Sequence, residues 1–337
     1  MQNEKRLKIK NSFDGNLVYG AKDFNKATGR DIHVKNRENN IINKFSDPNT
    51  GKLRTDLSKE RTCPICRYDD KILLFNKDGF DHFQCKNCSL VYVNPILKDE
   101  ILHNHYLNDE SYHNVLTNET EIYLDKIRFN YCLNIIESYT KIGSILDIGA
   151  GPGIFVEVAK ERGWHPVAVE FNKYCTKRIE SLGIQCFDKP IEKIQIDEES
   201  FNCITLWAVL EHLQNPKKIL KEIYKLLKPN GVLLILVPNV DSLASRIMHQ
   251  DCGTFGGDTH INFFNKDTLV NIQKLCGFKT LEIETVFSEI NTISNYLNYN
   301  HPYLGDNKGF NFEFLNPKYI HENYLGYCLV SYSKKLI

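Results

Sequence analysis

Three groups of residues have the types and spacing for chemistry. The first is the run Ser144-Ile145-Leu146-Asp147-Ile148-Gly149-Ala150-Gly151-Pro152-Gly153. A short apolar stretch carries one acidic residue, then breaks into three glycines at alternating positions before a helix-compatible run, 154–162. This predicts a strand, a tight turn and a helix N-terminus, with glycines that let a ligand approach the backbone. The spacing is G-x-G-x-G rather than the G-x-G-x-x-G of dinucleotide sites, and taken alone it equally describes a sharp turn without a ligand. The second group is Cys63/Cys66 and Cys85/Cys88, two C-x-x-C pairs with eighteen residues between them. Four thiolates at this separation suit a tetrahedral zinc ribbon. Such a site has no open position, so the Zn2+ would be structural and would supply folding energy that so small a module lacks. The third group is His212 and His260, imidazoles with an ordinary pKa of about 6.5 that suits proton removal.

Alternating strand and helix patterns must position these groups. A second apolar run, His165 to Glu170, ends in a carboxylate that can accept hydrogen bonds from both ribose hydroxyls of a nucleoside-bearing ligand. Phe171 follows and can pack on an adenine face. Strands are expected at 184–187, ending at Asp188, and at 201–207, ending at Trp207. The helix expected over 216–227 places Ile219, Leu220, Ile223, Leu226 and Leu227 on one face. After the Lys228-Pro229-Asn230-Gly231 turn, 232–239 reads as a buried central strand. Further strands are expected at 280–286 and 325–332. The pattern predicts an α/β fold whose ligands lie at the carboxyl ends of parallel strands, where the strand order reverses.

The LDIGAGPG loop, VAVE, LWAVLEHLQNP and LKPNGVLLILVPN together resemble the class I S-adenosylmethionine-dependent methyltransferases, over residues 120–337. The resemblance implies a Rossmann-like seven-stranded sheet with its last strand antiparallel, and S-adenosyl-L-methionine as cofactor. It implies cofactor contacts from Asp147, Gly149, Gly151, Gly153, Glu170 and Phe171, with Asp188 and Trp207 as adenine and cleft walls. The cysteine module ahead of this domain, with FQCKNCSLVYVNP at 83–95, resembles the sugar methyltransferases of deoxysugar and surface-polysaccharide pathways. Ribosomal-RNA guanine methyltransferases are a more distant likeness.

Methyl transfer is an in-line displacement, in which alignment alone can contribute about 7–11 kcal/mol. A sugar acceptor also needs a general base. His212 follows the fourth strand and His260 lies in a glycine-containing loop after the fifth, where deoxysugar C-methyltransferases carry histidines. Gly256 and Gly257 are expected to let that loop close, and Asp258 to orient the imidazole. The bland alternatives are a packing role for His212 and a loop-ordering role for His260. THINFF has Thr259 where the C-methyltransferase pattern has glutamate, so O-methylation stands beside C-methylation. Glu211-His212 also resembles the metal-contacting pair of quinone O-methyltransferases. The glutamate found there three residues earlier is Ala208 here, so no catalytic metal is expected.

Composition bounds the rest. The chain has 337 residues with 42 basic and 42 acidic side chains, which gives no general reason to expect nucleic acid or membrane as partner. The knuckles mix Lys71, Lys77 and Lys86 with Asp69, Asp70, Asp78 and Asp81, which also disfavours phosphate reading. No run is apolar enough to span a bilayer and the start has no apolar signal region, so a cytoplasmic location with reduced thiols is expected. Residues 1–58 carry 12 basic and 7 acidic side chains and few apolar ones, and read as a polar, loosely attached arm or a partner-packing one. The expected division is this arm, a zinc ribbon at 59–98, a helical linker at 99–140 holding His103, His105 and His113, and a methyltransferase domain at 141–337. Within it, 287–324 is a lid-like insertion with Tyr296, Tyr299, Tyr303 and Phe310. The leading expectation is methylation of a small-molecule acceptor, a sugar or sugar nucleotide, with the oligomeric state open. The alternatives are a ribosomal or transfer RNA methyltransferase, a quinone-type O-methyltransferase and a non-catalytic scaffold. Asp147, Gly149, Gly151 and Glu170 weigh against the scaffold.

Overall fold

Strand β6 (Ser144–Ile148) lies mid-sheet in the computed structural model, which describes residues 2–102, 114–306, 312–313 and 315–336, with backbone alone over 36–43. His103, His105, His113 and Phe310 fall outside the described residues. Parallel neighbours of β6 are β7 (His165–Val169) and β9 (Phe201–Trp207). Beyond β7 comes β8 (Gln185–Phe187), and beyond β9 come β10 (Leu227–Pro238), β13 (Cys328–Lys335) and β12 (Phe278–Val286), in the order β12-β13-β10-β9-β6-β7-β8. Of these seven strands β13 alone runs opposite to the other six, so it pairs antiparallel with both β10 and β12. This is the Rossmann-like methyltransferase sheet expected from the sequence. The order reverses between β6 and β9, so their carboxyl ends open a crevice for a ligand. The strands are buried because apolar cores lie on both faces, one with Leu146, Ile204, Leu206 and Ile235, the other with Ile145, Cys203, Leu234 and Val330.

A second sheet carries the cysteines. Strands β2 (Lys71–Lys77) and β3 (Phe80–Cys85) pair antiparallel around Asp78-Gly79, whose φ values of 54° and 92° make the left-handed turn that this dipeptide favours. β3 then pairs with β4 (Val91–Val93), and β4 pairs with β11 (Asn262–Phe263) from the far end of the chain. The module thus shares its sheet with the segment that holds His260.

The polar arm departs from the expectation of loose attachment. Helices α1 (Gln2–Phe13), α2 (Gly15–Tyr19), α3 (Ala21–Thr28) and α4 (Arg30–Phe45) fold against the rest of the chain. Phe13 and Phe24 are buried, and Asp14 accepts bonds from the Ser288 N–H and hydroxyl at 2.7 and 2.8 Å. Lys10 donates to the Thr285 carbonyl at 3.2 Å, and Arg30 meets Glu121 at 2.7 Å. The arm is therefore held by a few aromatic anchors and by specific polar bonds, which composition does not register.

The segment 287–324 is not one long loop. It contains α11 (Ile290–Leu297) and α12 (Pro317–Glu322). The helix of the linker, α5 (Glu119–Tyr139), starts at an Asn118 cap with Glu119 and Glu121 in its first turn.

Candidate active site

Each glycine of the loop takes positive φ, with Gly149 at 74°, Gly151 at 52° and Gly153 at 79°. Packing separates their roles. A Cβ at Gly149 would lie 2.6 Å from Val209, and one at Gly153 would lie 2.5 Å from Ile179, so both are glycines for packing as well as for turning. A Cβ at Gly151 would meet only Leu116, at 3.8 Å. Gly151 is the position where the loop backbone is open to a ligand.

Asp147 and Glu170 flank this loop from the ends of β6 and β7. Asp147 is 1% exposed; one oxygen accepts from the Thr205 hydroxyl at 2.7 Å and the other has no partner. Burial pushes its carboxyl up to about 8, against the Thr205 bond and with the Glu170 charge adding to the shift. Glu170 accepts from the N–H groups of Gly151 at 2.7 Å, Phe171 at 2.7 Å and Asn172 at 2.8 Å. Burial raises its carboxyl while these three donors oppose the rise. The residue expected to hold a ribose therefore also shapes the loop.

Phe171 is half-buried against the apolar core, whereas Asp188 stands exposed one residue past β8. Trp207 packs its ring on Phe129 at 4.8 Å and Phe155 at 5.1 Å, and its indole N–H is buried without a partner. The Arg128 guanidinium lies 5.9 Å from the Trp207 ring and 5.4 Å from that of Phe287, and pairs with Asp125 at 2.6 Å. Sequence reasoning did not single out Arg128, because nothing in the helical spacing of α5 marks which side packs against Trp207. The glycine positions, the unpartnered Asp147 oxygen and the Glu170 carboxylate fit an S-adenosylmethionine molecule along the carboxyl ends of β6 and β7.

The chain leaves β9 through Ala208, a residue in the left-handed region at φ 53°. Such strain in a non-glycine residue is common at functional sites. A short turn then presents Glu211 and His212. The Ile261 N–H donates to the Glu211 carbonyl at 3.0 Å, and the Asn262 amide donates to the carbonyls of Leu210 at 3.3 Å and Leu213 at 2.7 Å. These bonds tie the two distant segments together. The rings of His212 and His260 consequently meet edge to face, with centroids 4.8 Å apart. His212 donates its Nδ1 hydrogen to the Thr259 carbonyl at 3.0 Å, and His260 donates its own to the Thr254 carbonyl at 2.9 Å. A carbonyl can only accept, so both imidazoles carry a hydrogen on Nδ1, which leaves Nε2 as the nitrogen available to a ligand when the ring is neutral.

The Thr254 carbonyl holds His260 at Nδ1, and Asp258 lies buried two residues before it. Gly257 is a close-packing position, since a Cβ there would lie 2.4 Å from Phe80. Of the lid tyrosines, Tyr303 accepts from the Gly253 N–H at 2.5 Å, and Tyr296 reaches Asp251 at 3.3 Å. Tyr299 is 99% exposed. The insertion thus braces the His260 loop from behind.

The four cysteines converge as their spacing requires. Cys63 and Cys88 sulfurs lie 3.4 Å apart, and those of Cys66 and Cys85 lie 3.5 Å apart. Four sulfurs at about 2.3 Å from a common zinc would be about 3.8 Å apart, close to what is seen. The two knuckles repeat one geometry. Arg67 and Ser89, each following the second cysteine, both have φ of 62° and donate back to Cys63 and Cys85 at 2.8 and 3.0 Å.

Comparison with known proteins places this geometry. The chain is 26% identical over 152 residues to the uncharacterized protein MJ1123 of Methanocaldococcus jannaschii, covering 45% of this chain and 72% of that one. It is 27% identical over 103 residues to the ubiquinone biosynthesis O-methyltransferase of Coxiella burnetii, and spans 43% of that enzyme with 28% of its own length. Among solved structures, a 1,6-didemethyltoxoflavin-N1-methyltransferase from Burkholderia thailandensis covers 79% of this chain and 99% of its own at 14% identity and a TM-score of 0.48. A SAM-dependent methyltransferase from Archaeoglobus fulgidus covers 64% of this chain and 94% of its own at 22% identity and a TM-score of 0.46. The family model described as a methyltransferase domain matches residues 102–283, more than half of the chain, and with β6, its glycine loop and the crevice beside it inside that span, the chain belongs to this family and is an S-adenosylmethionine-dependent methyltransferase.

Proposed function

We propose that the acceptor is a sugar or sugar-nucleotide precursor, bound between the carboxyl end of β9 and the segment 252–264. One observation carries this reading. The two segments that resemble sugar methyltransferases, FQCKNCSLVYVNP and THINFF, are adjacent strands, with Tyr92 opposite Asn262 and Val91 opposite Phe263. The cysteine module then serves as a wall of the acceptor site, with one Zn2+ held by Cys63, Cys66, Cys85 and Cys88. Its outward charges are mutually paired, Asp69 with Lys71 at 3.4 Å and Asp70 with Lys86 at 2.9 Å, which suits an acceptor wall better than an RNA-reading surface.

S-adenosylmethionine, when bound, supplies an electrophilic methyl carbon. In this reading Gly151 gives it backbone room, Glu170 accepts from its ribose, and Asp147 holds the loop through Thr205. Gly149 and Gly153 fix the turn, while Phe171, Asp188 and Trp207 bound the base and the crevice. His212 and His260 face the acceptor with Nε2 lone pairs, and the acceptor hydroxyl gives up its proton there, with His260 favoured.

A quinol or phenol acceptor is the second reading, favoured by the name of the Coxiella relative. Methyl-labelled S-adenosylmethionine incubated with sugar nucleotides, a demethylated quinol and RNA separates the readings by mass spectrometry. Label on a sugar nucleotide is expected. Label on the quinol or RNA alone would overturn the sugar assignment.

A further inference from the structure

Glu211, His212 and His260 bring one carboxyl and two imidazoles together from two segments of chain. A ligand-type atom of each lies within 4.8 Å of the others. Glu211 is 1% exposed, and neither of its carboxyl oxygens has a hydrogen-bond partner. A buried polar group in that state is costly, and folded proteins rarely keep one that nothing satisfies. The His212 Nε2 lies 3.9 Å from Glu211 Oε1, beyond hydrogen-bond reach.

The imidazoles supply an independent observation. Each is held by a main-chain carbonyl at Nδ1, Thr259 for His212 and Thr254 for His260. Metal-bound histidines are held in this manner, because the outer bond fixes the ring and directs the other nitrogen to the ion. The sequence argued against a metal here because Ala208 replaces a glutamate near Glu211. The fold supplies a different third group, His260, which is 48 residues beyond His212 and therefore invisible to a local motif.

We propose that Glu211, His212 and His260 form a second metal site, separate from the four cysteines, that takes a divalent first-row transition cation. Two imidazoles and one carboxylate suit Zn2+, Mn2+ or Fe2+, and leave coordination positions open. Bonds of about 2.0–2.2 Å put neighbouring donor atoms roughly 3–3.5 Å apart, so small side-chain rotations close the site from its present spacing. With the ion bound, the Nε2 lone pairs of His212 and His260 are committed to it, so the dication takes over the base role given to His260 above: its open positions would take an oxygen of the methyl acceptor, whose hydroxyl loses its proton more readily there, to solvent. That role rests on the acceptor reading above; the ability to hold metal does not.

The test is equilibrium dialysis of the full chain against Co2+, with total metal counted and the visible spectrum recorded. Wild type should hold two ions per chain, one with thiolate-to-metal charge transfer and one without. Glu211→Gln, nearly isosteric, and His260→Ala, at a half-exposed position, should each hold one ion, keep the charge-transfer band and keep the wild-type circular dichroism. A wild type that holds only the thiolate-bound ion, or either variant still holding both, would overturn the site. Failure of the acceptor reading looks different: the second ion binds and is lost in the variants, yet both variants turn over at near-normal rates.

Discussion

At the scale of single residues, the cofactor side and the acceptor side make separable demands. Glu170 shapes the glycine loop through Gly151 and stands where a ribose is expected. Hydrogen bonds to a charged acceptor are each worth about 1.5–3 kcal/mol. Glu170→Ala should therefore weaken S-adenosylmethionine binding at least about tenfold by calorimetry, with the far-ultraviolet spectrum retained. Unchanged affinity would remove Glu170 from the site. His260 makes the opposite split. His260→Ala should lower turnover by about 10²–10⁴-fold while leaving cofactor affinity intact. If both His260→Ala and His212→Ala keep normal turnover, neither imidazole handles the acceptor proton. The proximity of these rings was only partly legible in the sequence. Each was a candidate by its place after a strand, but their contact depends on the Asn262 amide bridging to Leu210 and Leu213, and side-chain-to-backbone bonds of that kind leave no periodic trace.

At the scale of elements, legibility followed the strength of the local pattern. β9 runs from Phe201 to Trp207 as its apolar run predicts, and α8 (Pro216–Leu226) begins at a proline in its first turn, where the missing N–H costs nothing. β10 begins earlier than expected, at Leu227, because the Lys228–Gly231 turn is absorbed as an irregularity between paired residues Leu227 and Val232. The last strand starts at Cys328 rather than Leu325, since Leu325 and Tyr327 are used in main-chain bonds to Ile320 and Phe287. β11 could not be foreseen: two residues long, it exists because β4 offers an edge. The cysteine knuckles were legible because four ligands at fixed spacing leave few arrangements. If the four cysteines hold zinc as proposed, wild type should carry one ion there and Cys85→Ser none, with β3 and β4 loosened in the variant, measured as metal content and as faster amide exchange at Val91–Val93. Full metal content in that variant would exclude the tetrathiolate site.

At the scale of the whole molecule, burial of titratable groups couples stability to pH and to the arm. Burial holds His321 down to about 3, with the Lys10 charge adding to the shift, and holds His82 down to about 4. An unfolded chain would protonate both near pH 6.5. Their neutral state is thus a stability contribution that is present above about pH 6.5 and lost progressively as pH falls toward these lower values. Buried carboxyls such as Asp147, pushed up to about 8, act in the opposite sense as pH falls, so the readout is a difference: between about pH 7 and about pH 5 the wild-type urea midpoint should drop relative to that of His321→Gln. An equal slope in the variant would mean that other groups set it.

The arm is the part of the molecule that composition describes least well, and one residue tests its attachment. Asp14 is 2% exposed, caps α2 through the Leu17 N–H at 3.2 Å, and reaches across to both donors of Ser288. Burial raises its carboxyl, and the Ser288 and Leu17 donors pull against that rise. Asp14→Ala would strand the Ser288 N–H and hydroxyl in a buried place, at about 1–3 kcal/mol for each unsatisfied group. Glu289 follows directly, and its carboxyl accepts from Asn16 of the arm at 2.9 Å, so the disturbance would reach the start of α11. The thermal midpoint should drop by several degrees, and proteolysis should begin within residues 1–30. Asp14→Asn keeps an acceptor oxygen for one of the two Ser288 donors and should fall between wild type and Asp14→Ala. A midpoint and cleavage pattern identical to wild type would mean that the arm is not docked through this carboxylate.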